Sequence, residues 1–366
     1  MKIECLSNRQ KAFPRLLLNL YRGRGWGKSY NYFKYDWGML KRVELNFVPP
    51  VFVATITEAC DLRCPTCLYG LQSKYYLNNN SYMKLADFKT ILMDNNVSKA
   101  DTIFLTGGEP LLHSEFGEFV DMCKGYGLKV KISTNGIKLG EIEVSYLKAL
   151  DDINVSLDAW DSNSFKKYRG GSAIQWRKIV AGMEDIKKLG IKFSISFILT
   201  TNTIKEIMNM LEFADYIIPD TVHFHNINPH GSSDIEPLTK QCEELKYLDF
   251  IKSRVHYPYD IVVSHVFDTA SKDFYTKRCV QPWYYFCFNS QGDMAPCCHI
   301  EHNNYMYGNL FSNNKRVNNH RMVCFRADMI NGYGFLIDGP SCKFCHRRFL
   351  GDNYAVYSRR KRSWIK

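Results

Sequence analysis

From residue 51 onward, short apolar runs alternate with longer stretches in which apolar residues recur every three or four positions. The runs at 51–57 (Val-Phe-Val-Ala-Thr-Ile-Thr), 102–106, 128–133, 153–157, 192–199 and 221–227 predict buried strands. Helix-period segments near 83–94, 114–125, 142–150, 173–189 and 203–215 lie between them, with Gly127 and Gly190 where helices should stop. Strand and helix units alternating in this way predict an α/β fold, a parallel sheet with helices outside. In such sheets the chemistry gathers at the carboxyl ends of the strands.

Those strand ends carry unusual polar groups. After the first comes Cys60-Asp61-Leu62-Arg63-Cys64-Pro65-Thr66-Cys67, three thiols in a C-x3-C-x2-C run. Three cysteines cannot pair off as disulfides among themselves, but they can hold three irons of a cubane and leave the fourth iron open. Gly107-Gly108-Glu109-Pro110 follows the second strand, Ser133-Thr134-Asn135-Gly136 the third, and the fourth carries Ser156 and Asp158. Taken singly, each of these is an ordinary turn signal. Their recurrence at successive strand ends, on one rim with the cysteines, is what points to a site.

Composition adds a compartment and a charge pattern. The 366 residues include thirteen cysteines and no apolar stretch of signal-peptide or membrane-spanning length. Thiols are then expected to be reduced, which favours metal binding over a disulfide framework and makes the cytoplasm the default compartment. The net charge of +11 sits at the ends: residues 1–46 and 343–366 each carry +7, leaving −3 between them. Such ends suit a peripheral membrane surface or another anionic ligand. Residues 11–42 add aromatics among the basic residues (Tyr21, Trp26, Tyr30, Tyr32, Phe33, Tyr35, Trp37), a combination found in interfacial membrane segments and in single-strand nucleic-acid surfaces. The expected organisation is a basic aromatic segment at 1–49, a core at 50–235, a connecting helix and strand at 236–275, a small cysteine-rich domain at 276–350 and a basic tail at 351–366.

The C-x3-C-x2-C loop, Gly-Gly-Glu-Pro, Ser-Thr-Asn-Gly and Ser-Leu-Asp, in that order after four successive strands, resemble the radical S-adenosylmethionine (SAM) superfamily over about residues 50–230. The resemblance implies a partial (β/α)6 TIM-type barrel with a 4Fe–4S cluster on Cys60, Cys64 and Cys67 and with SAM on the open iron. Residue by residue it places Glu109 at the SAM amino group and Thr134, Asn135 and Ser156 along the ribose side, with Gly107, Gly108, Ser133 and Asp158 as further cofactor-binding candidates. Arg169 falls where an arginine pairs with the SAM carboxylate, a contact that suits a fixed guanidinium. Thr66 stands where members usually carry an aromatic residue, which puts packing against the adenine in question.

A second cysteine set follows. Cys279, Cys297, Cys342 and Cys345 have spacings open to a structural zinc site or to an iron–sulfur cluster. After a radical SAM core, the pattern resembles the twitch form of the SPASM extension, which implies one auxiliary 4Fe–4S cluster on these four. Cys287, Cys298 and Cys324 are extra, and Cys5, Cys123 and Cys242 read as core or surface thiols. His223 and His225 alternate on the sixth strand and so share a face, while His299 follows the second cysteine set; His225 and His299 are the candidate catalytic side chains.

The resemblance implies reductive cleavage of SAM to a 5′-deoxyadenosyl radical that abstracts a substrate hydrogen, with the auxiliary cluster as electron acceptor or substrate anchor. The expected partners are a one-electron reductant such as flavodoxin or ferredoxin and a carbohydrate, glycolipid or small anionic substrate. A peptide maturase, an RNA-modifying enzyme and a non-catalytic iron–sulfur or zinc protein are the alternatives.

Overall fold

The fold is seen in a computed structural model, which describes residues 26–31, 33–34, 47–67, 81–227, 238, 242–254, 256–264, 281–297, 307–312, 318–331 and 355–365. Strands β1 (Val51–Thr57), β2 (Thr102–Gly107), β3 (Lys129–Thr134), β4 (Asp152–Ser156), β5 (Ser194–Leu199), β6 (Thr221–Asn226) and β7 (Asp260–Val263) lie side by side in chain order, all parallel. The first six are the six runs expected from the apolar pattern, with ends shifted by one or two residues. Helices α1 (Leu85–Asp94), α2 (Phe116–Gly125), α3 (Val144–Ala149), α5 (Ala173–Lys188) and α6 (Ile207–Ile217) fill the expected gaps. One more, α4 (Ser162–Arg169), had no apolar signature.

Alternation explains the layering. On β3, β4 and β6 every second residue is buried, and Val130, Ile132, Ile153, Val155, Val222 and Phe224 belong to the core cluster shared with the helices. The other face is partly open and polar, carrying Lys131, Ser133, Asp152, Asn154, Ser156 and His223. Helix α5 shows why its segment folds as it does: Ser172 and Gln175 close a capping box, and Trp176, Ile179, Met183 and Ile186 form the buried stripe. It ends at Gly190, whose φ of +69° favours glycine.

The sheet continues beyond the alternating core without closing. Strand β8 (Tyr285–Phe288) runs parallel to β1 on its outer side and pairs antiparallel with β9 (Met294–Ala295). Phe286 stands edge-on to Phe52 at 5.0 Å, so this pairing is backed by aromatic packing. At the other edge β10 (Ala355–Ser358) pairs antiparallel with β7, and β11 (Ser363–Ile365) with β10. Arg359, after β10, donates to Asp220 at 2.7 Å through its guanidinium and to Asp260 at 2.7 Å through its backbone N–H. Residues 355–365 of the basic C-terminal stretch are thus part of the sheet.

Residues 26–31 are helical and lie against the amino ends of the strands. Asn31 is buried and holds Val48, just before β1, from both sides: it accepts from the Val48 N–H at 2.8 Å and donates to the Val48 carbonyl at 2.5 Å. Lys28 donates to the carbonyl of Gly127, just before β3, at 2.8 Å.

Candidate functional site

The cysteine loop and the β2 end form one interlocked piece. Gly108 N–H donates to the Thr57 carbonyl at 2.9 Å and Glu109 N–H to the Ala59 carbonyl at 2.8 Å. Gly107, with φ of +152°, and Gly108 lie so close to this backbone that a Cβ on Gly108 would fall 2.7 Å from the Glu58 oxygen. Within the loop Cys67 N–H donates to the Cys64 carbonyl at 3.1 Å, turning the chain at Pro65–Thr66. Arg63 donates to the carbonyls of Cys60 and Leu62 at 2.8 and 2.9 Å. The two loops therefore have fixed positions relative to each other.

Glu109 is the buried centre of the rim. Its carboxylate accepts from the Thr134 hydroxyl at 2.7 Å, the Asn135 N–H at 2.6 Å and the Leu111 N–H at 3.1 Å. Burial pushes its carboxyl up to about 7, against the pull of those three donors. Thr134 also accepts from the Gly136 N–H at 3.0 Å, and the Asn135 side chain donates to Asp61 at 2.7 Å, back in the cysteine loop. Ser133 and Ser156 face each other with hydroxyls 3.0 Å apart, and Asn154 reaches Ser133 and Ser196 at 3.3 and 3.1 Å. The ends of β1 to β4 are joined by side-chain contacts that the sequence could only line up.

A raised folded-state value has a definite sign. The folded form favours the protonated carboxyl, so stability falls as pH rises from the ordinary carboxylate range towards about 7 and then levels off. The full loss is about 3 kcal/mol. Denaturant unfolding of iron-free protein should show the Glu109→Gln variant losing most of this slope; an unchanged slope would place the pH dependence elsewhere.

Arg169 closes the fourth side. It is 9% exposed, and its guanidinium lies 2.9 Å from Asp158, whose other oxygen accepts from the Ile198 N–H at 2.7 Å. Asp158 takes a left-handed φ of +49° to make this contact, and Arg169 ends α4 at Gly170, whose Cβ position is 3.0 Å from the Arg63 carbonyl oxygen. The Arg169 Nε is buried with no hydrogen-bond partner. Its charge is felt at Cys64, where it partly opposes the burial that pushes that thiol up to about 12; burial likewise pushes Cys60 up to about 11. Free thiols here are protonated, and a metal that takes their place must release those protons.

The arrangement fits an iron–sulfur cluster with a carboxylate-bearing ligand. The three thiols are unpaired and share one short loop, the two glycines leave no side chain between loop and rim, and an orphaned guanidinium nitrogen waits beside Cys64. Among the described residues no three His, Cys, Asp or Glu side chains converge tightly enough for a single metal ion. A cubane needs a wider triangle, with one thiolate per iron corner.

The remaining expected residues divide by location. Thr66 is half-buried in the loop turn. His223 and His225 do share a face, with parallel rings 5.5 Å apart; burial lowers the His223 pKa, Asp152 raises it, and Lys131 lowers it again. Cys297 is buried just after β9, while Cys279, Cys342, Cys345, Cys298 and His299 lie outside the described residues. Cys287 is a core thiol packed against Val51 and Val53, and Cys123 is fully buried. Cys324 is exposed, with its sulfur 3.5 Å from His320 Nε2 on helix α7 (His320–Asn331).

Two residues were missed on the sequence. Asp61 orients Asn135, and Glu58 ties the end of β1 to the β8–β9 turn. The Ser290 hydroxyl donates to Glu58 at 3.0 Å and lies 2.6 Å from the Ser81 hydroxyl, and the second Glu58 oxygen is buried without a partner. Burial raises the Glu58 pKa against the Ser290 hydrogen bond. Adjacency to the cysteines was the only available signal for either.

Residues 54–214 match the family model of the radical SAM superfamily. The GTP 3′,8-cyclase of Helicobacter pylori is 28% identical over 231 residues, 61% of this chain and 67% of that protein. A probable GTP 3′,8-cyclase of Sulfolobus acidocaldarius is 28% identical over 180 residues, 48% of this chain and 56% of its own length. The chain spans about half the length of several of the curated relatives it matches. Among solved structures, Streptococcus suis SuiB bound to precursor peptide SuiA aligns with a TM-score of 0.60 at 17% identity, covering 87% of this chain and 75% of SuiB.

Proposed function

This chain carries a radical SAM superfamily domain over residues 54–214, and on that premise we propose that it cleaves SAM reductively and removes a hydrogen atom from a carbohydrate, glycolipid or small anionic metabolite. The observation that carries the reading is the contact of the three-cysteine loop with Gly107–Gly108–Glu109 on one side and with Gly170 on the other, beside Arg169, whose Nε is buried without a partner and whose charge acts on Cys64. Cys60, Cys64 and Cys67 would hold three irons of a 4Fe–4S cluster. The cluster, when bound, supplies the electron that splits SAM into methionine and the 5′-deoxyadenosyl radical.

The chain's own residues bind and exclude. Glu109 keeps lone pairs beyond its three donors that would take the SAM amino group, and the unpartnered Arg169 Nε–H would be the donor to the SAM carboxylate. Ser133 and Ser156 present hydroxyls on the half-open face of the sheet, on the ribose side. His225 is the exposed member of the histidine pair and stands nearest the strand ends. Cys297, with Cys279, Cys342 and Cys345, would hold the auxiliary cluster, and a flavodoxin or ferredoxin would supply electrons.

A purine nucleotide is the second reading, favoured by the GTP cyclases among the relatives. Anaerobic reconstitution with iron, sulfide and dithionite, followed by assay for 5′-deoxyadenosine, tests the core claim. Formation of 5′-deoxyadenosine in the native protein and its absence in Cys64→Ser is the expected result. No product with a fully loaded cluster would sink the catalytic assignment. A single cluster's worth of iron would remove the auxiliary centre, and stimulation by GTP would select the second reading.

A further inference from the structure

We propose that the end of the barrel opposite the cysteine loop docks on an anionic lipid surface through Trp26 and Tyr30. These two residues are 74% and 56% exposed, among the most exposed large apolar side chains in the described structure. They lie four residues apart on one side of the helical run 26–31, and the Lys34 ammonium sits over the Tyr30 ring, so the three form a stripe rather than a scatter. The opposite side is anchored: Ser29 and Asn31 are buried, and Asn31 and Lys28 hold the amino ends of the sheet. The stripe is therefore presented by a fixed element.

Its charge complements an anionic surface. The described segment carries Lys28 and Lys34 and no acid, and the Lys34 pKa is lowered first by burial and then by the nearby Lys99, two like charges held close at this end of the sheet. Two acids beside the amino ends of the strands are paired: Asp151 with Lys124 at 2.7 Å, and Asp101 with Lys129 at 3.9 Å. Tryptophan and tyrosine beside lysine is the composition that settles at the headgroup level of a bilayer. No helix among the described residues is long and apolar enough to cross a membrane.

A single-stranded nucleic acid would need open ring faces. The Tyr30 ring stacks on Phe33 with centroids 6.3 Å apart, and the Lys34 ammonium sits over it at 5.5 Å, which leaves mainly Trp26 for a base. A bilayer needs only the outward edge and hydroxyl of Tyr30 and the indole of Trp26. Docking at this end also points the cysteine rim away from the lipid, so the membrane would hold the protein in place without covering the rim.

The test is co-sedimentation of the full-length, anaerobically reconstituted protein with vesicles of phosphatidylcholine alone or mixed equally with phosphatidylglycerol. Binding to the mixed vesicles alone, weakening with salt, is expected. Trp26→Ser should lower the affinity on the order of tenfold and Lys34→Gln about fivefold. Brominated phosphatidylglycerol should quench tryptophan emission in the native protein and much less in Trp26→Ser. Both side chains lie at the far end from the cysteines, so 5′-deoxyadenosine formation should be unchanged, which separates this surface from the catalytic reading. Absence of binding to mixed vesicles, equal binding by the variants, or binding to poly(U) that vesicles fail to displace would each overturn the proposal.

Discussion

Gly108→Ala should deprive the protein of its cluster and much of its stability together. The three atoms nearest the new methyl are all backbone, two of Ala59 and the oxygen of Glu58, so no side chain can swing aside to make room. Either the β2 end or the cysteine loop must move, and both are fixed by the Gly108 and Glu109 N–H bonds to Thr57 and Ala59. Overpacking of this kind costs roughly 1–3 kcal/mol or more even where side chains can adjust, and here the displaced atoms belong to the segment that spaces the thiols. Gly125→Ala is the control, since nothing lies within 4 Å of its added methyl at the end of α2. Thermal unfolding and iron content after anaerobic reconstitution would be compared. Native iron content in Gly108→Ala would show that the rim can shift without disturbing the cysteines.

Arg169→Met should be the most damaging single change on the other side. The Arg169–Asp158 pair is nearly buried, and removing one partner strands the other charge, at a cost of about 3–5 kcal/mol. Asp158 cannot turn to water easily, because its left-handed backbone and its bond to the Ile198 N–H hold it. The double variant Arg169→Met with Asp158→Asn should recover part of the loss, since no charge is then left unpaired. SAM affinity separates the second role: it should stay low in the double variant, where stability is regained but the guanidinium is absent. Full recovery of SAM binding there would remove Arg169 from the SAM site and leave it a structural ion pair.

Much of the core was legible because it is local. An apolar run between turn signals specifies a buried strand, and the polar groups that matter come immediately after each run, as with Cys60 after Ile56–Thr57 and Glu109 after Gly107–Gly108. Helix α4 was not legible, because only Ser164, Phe165 and Arg169 of its eight residues are buried and Asp161 and Ser164 cap it through hydrogen bonds. The Glu109 hub was half legible: its place on the rim follows from the motif, but its three donors come from β3 and from its own loop. Glu58 with Ser290, Asp158 with Arg169 and β1 with β8 are pairings set by three-dimensional proximity, and no periodicity encodes them.

The pairing of β8 with β1 sets an order of assembly. Val51 pairs with Tyr285, so the strand that delivers the three cysteines keeps an open hydrogen-bonding edge until the chain has been made well past residue 285. The far edge, β7, waits still longer for Ala355–Ser358. A nascent chain that had folded only its first six strands would expose two unpaired edges at once, the arrangement most prone to pairing with a neighbouring chain. Iron delivered at that stage would meet a cysteine loop not yet tied through Glu58 to Ser290. The β1–β8 pair therefore fixes the strand that delivers the cysteines by means of residues more than 200 positions later in the chain.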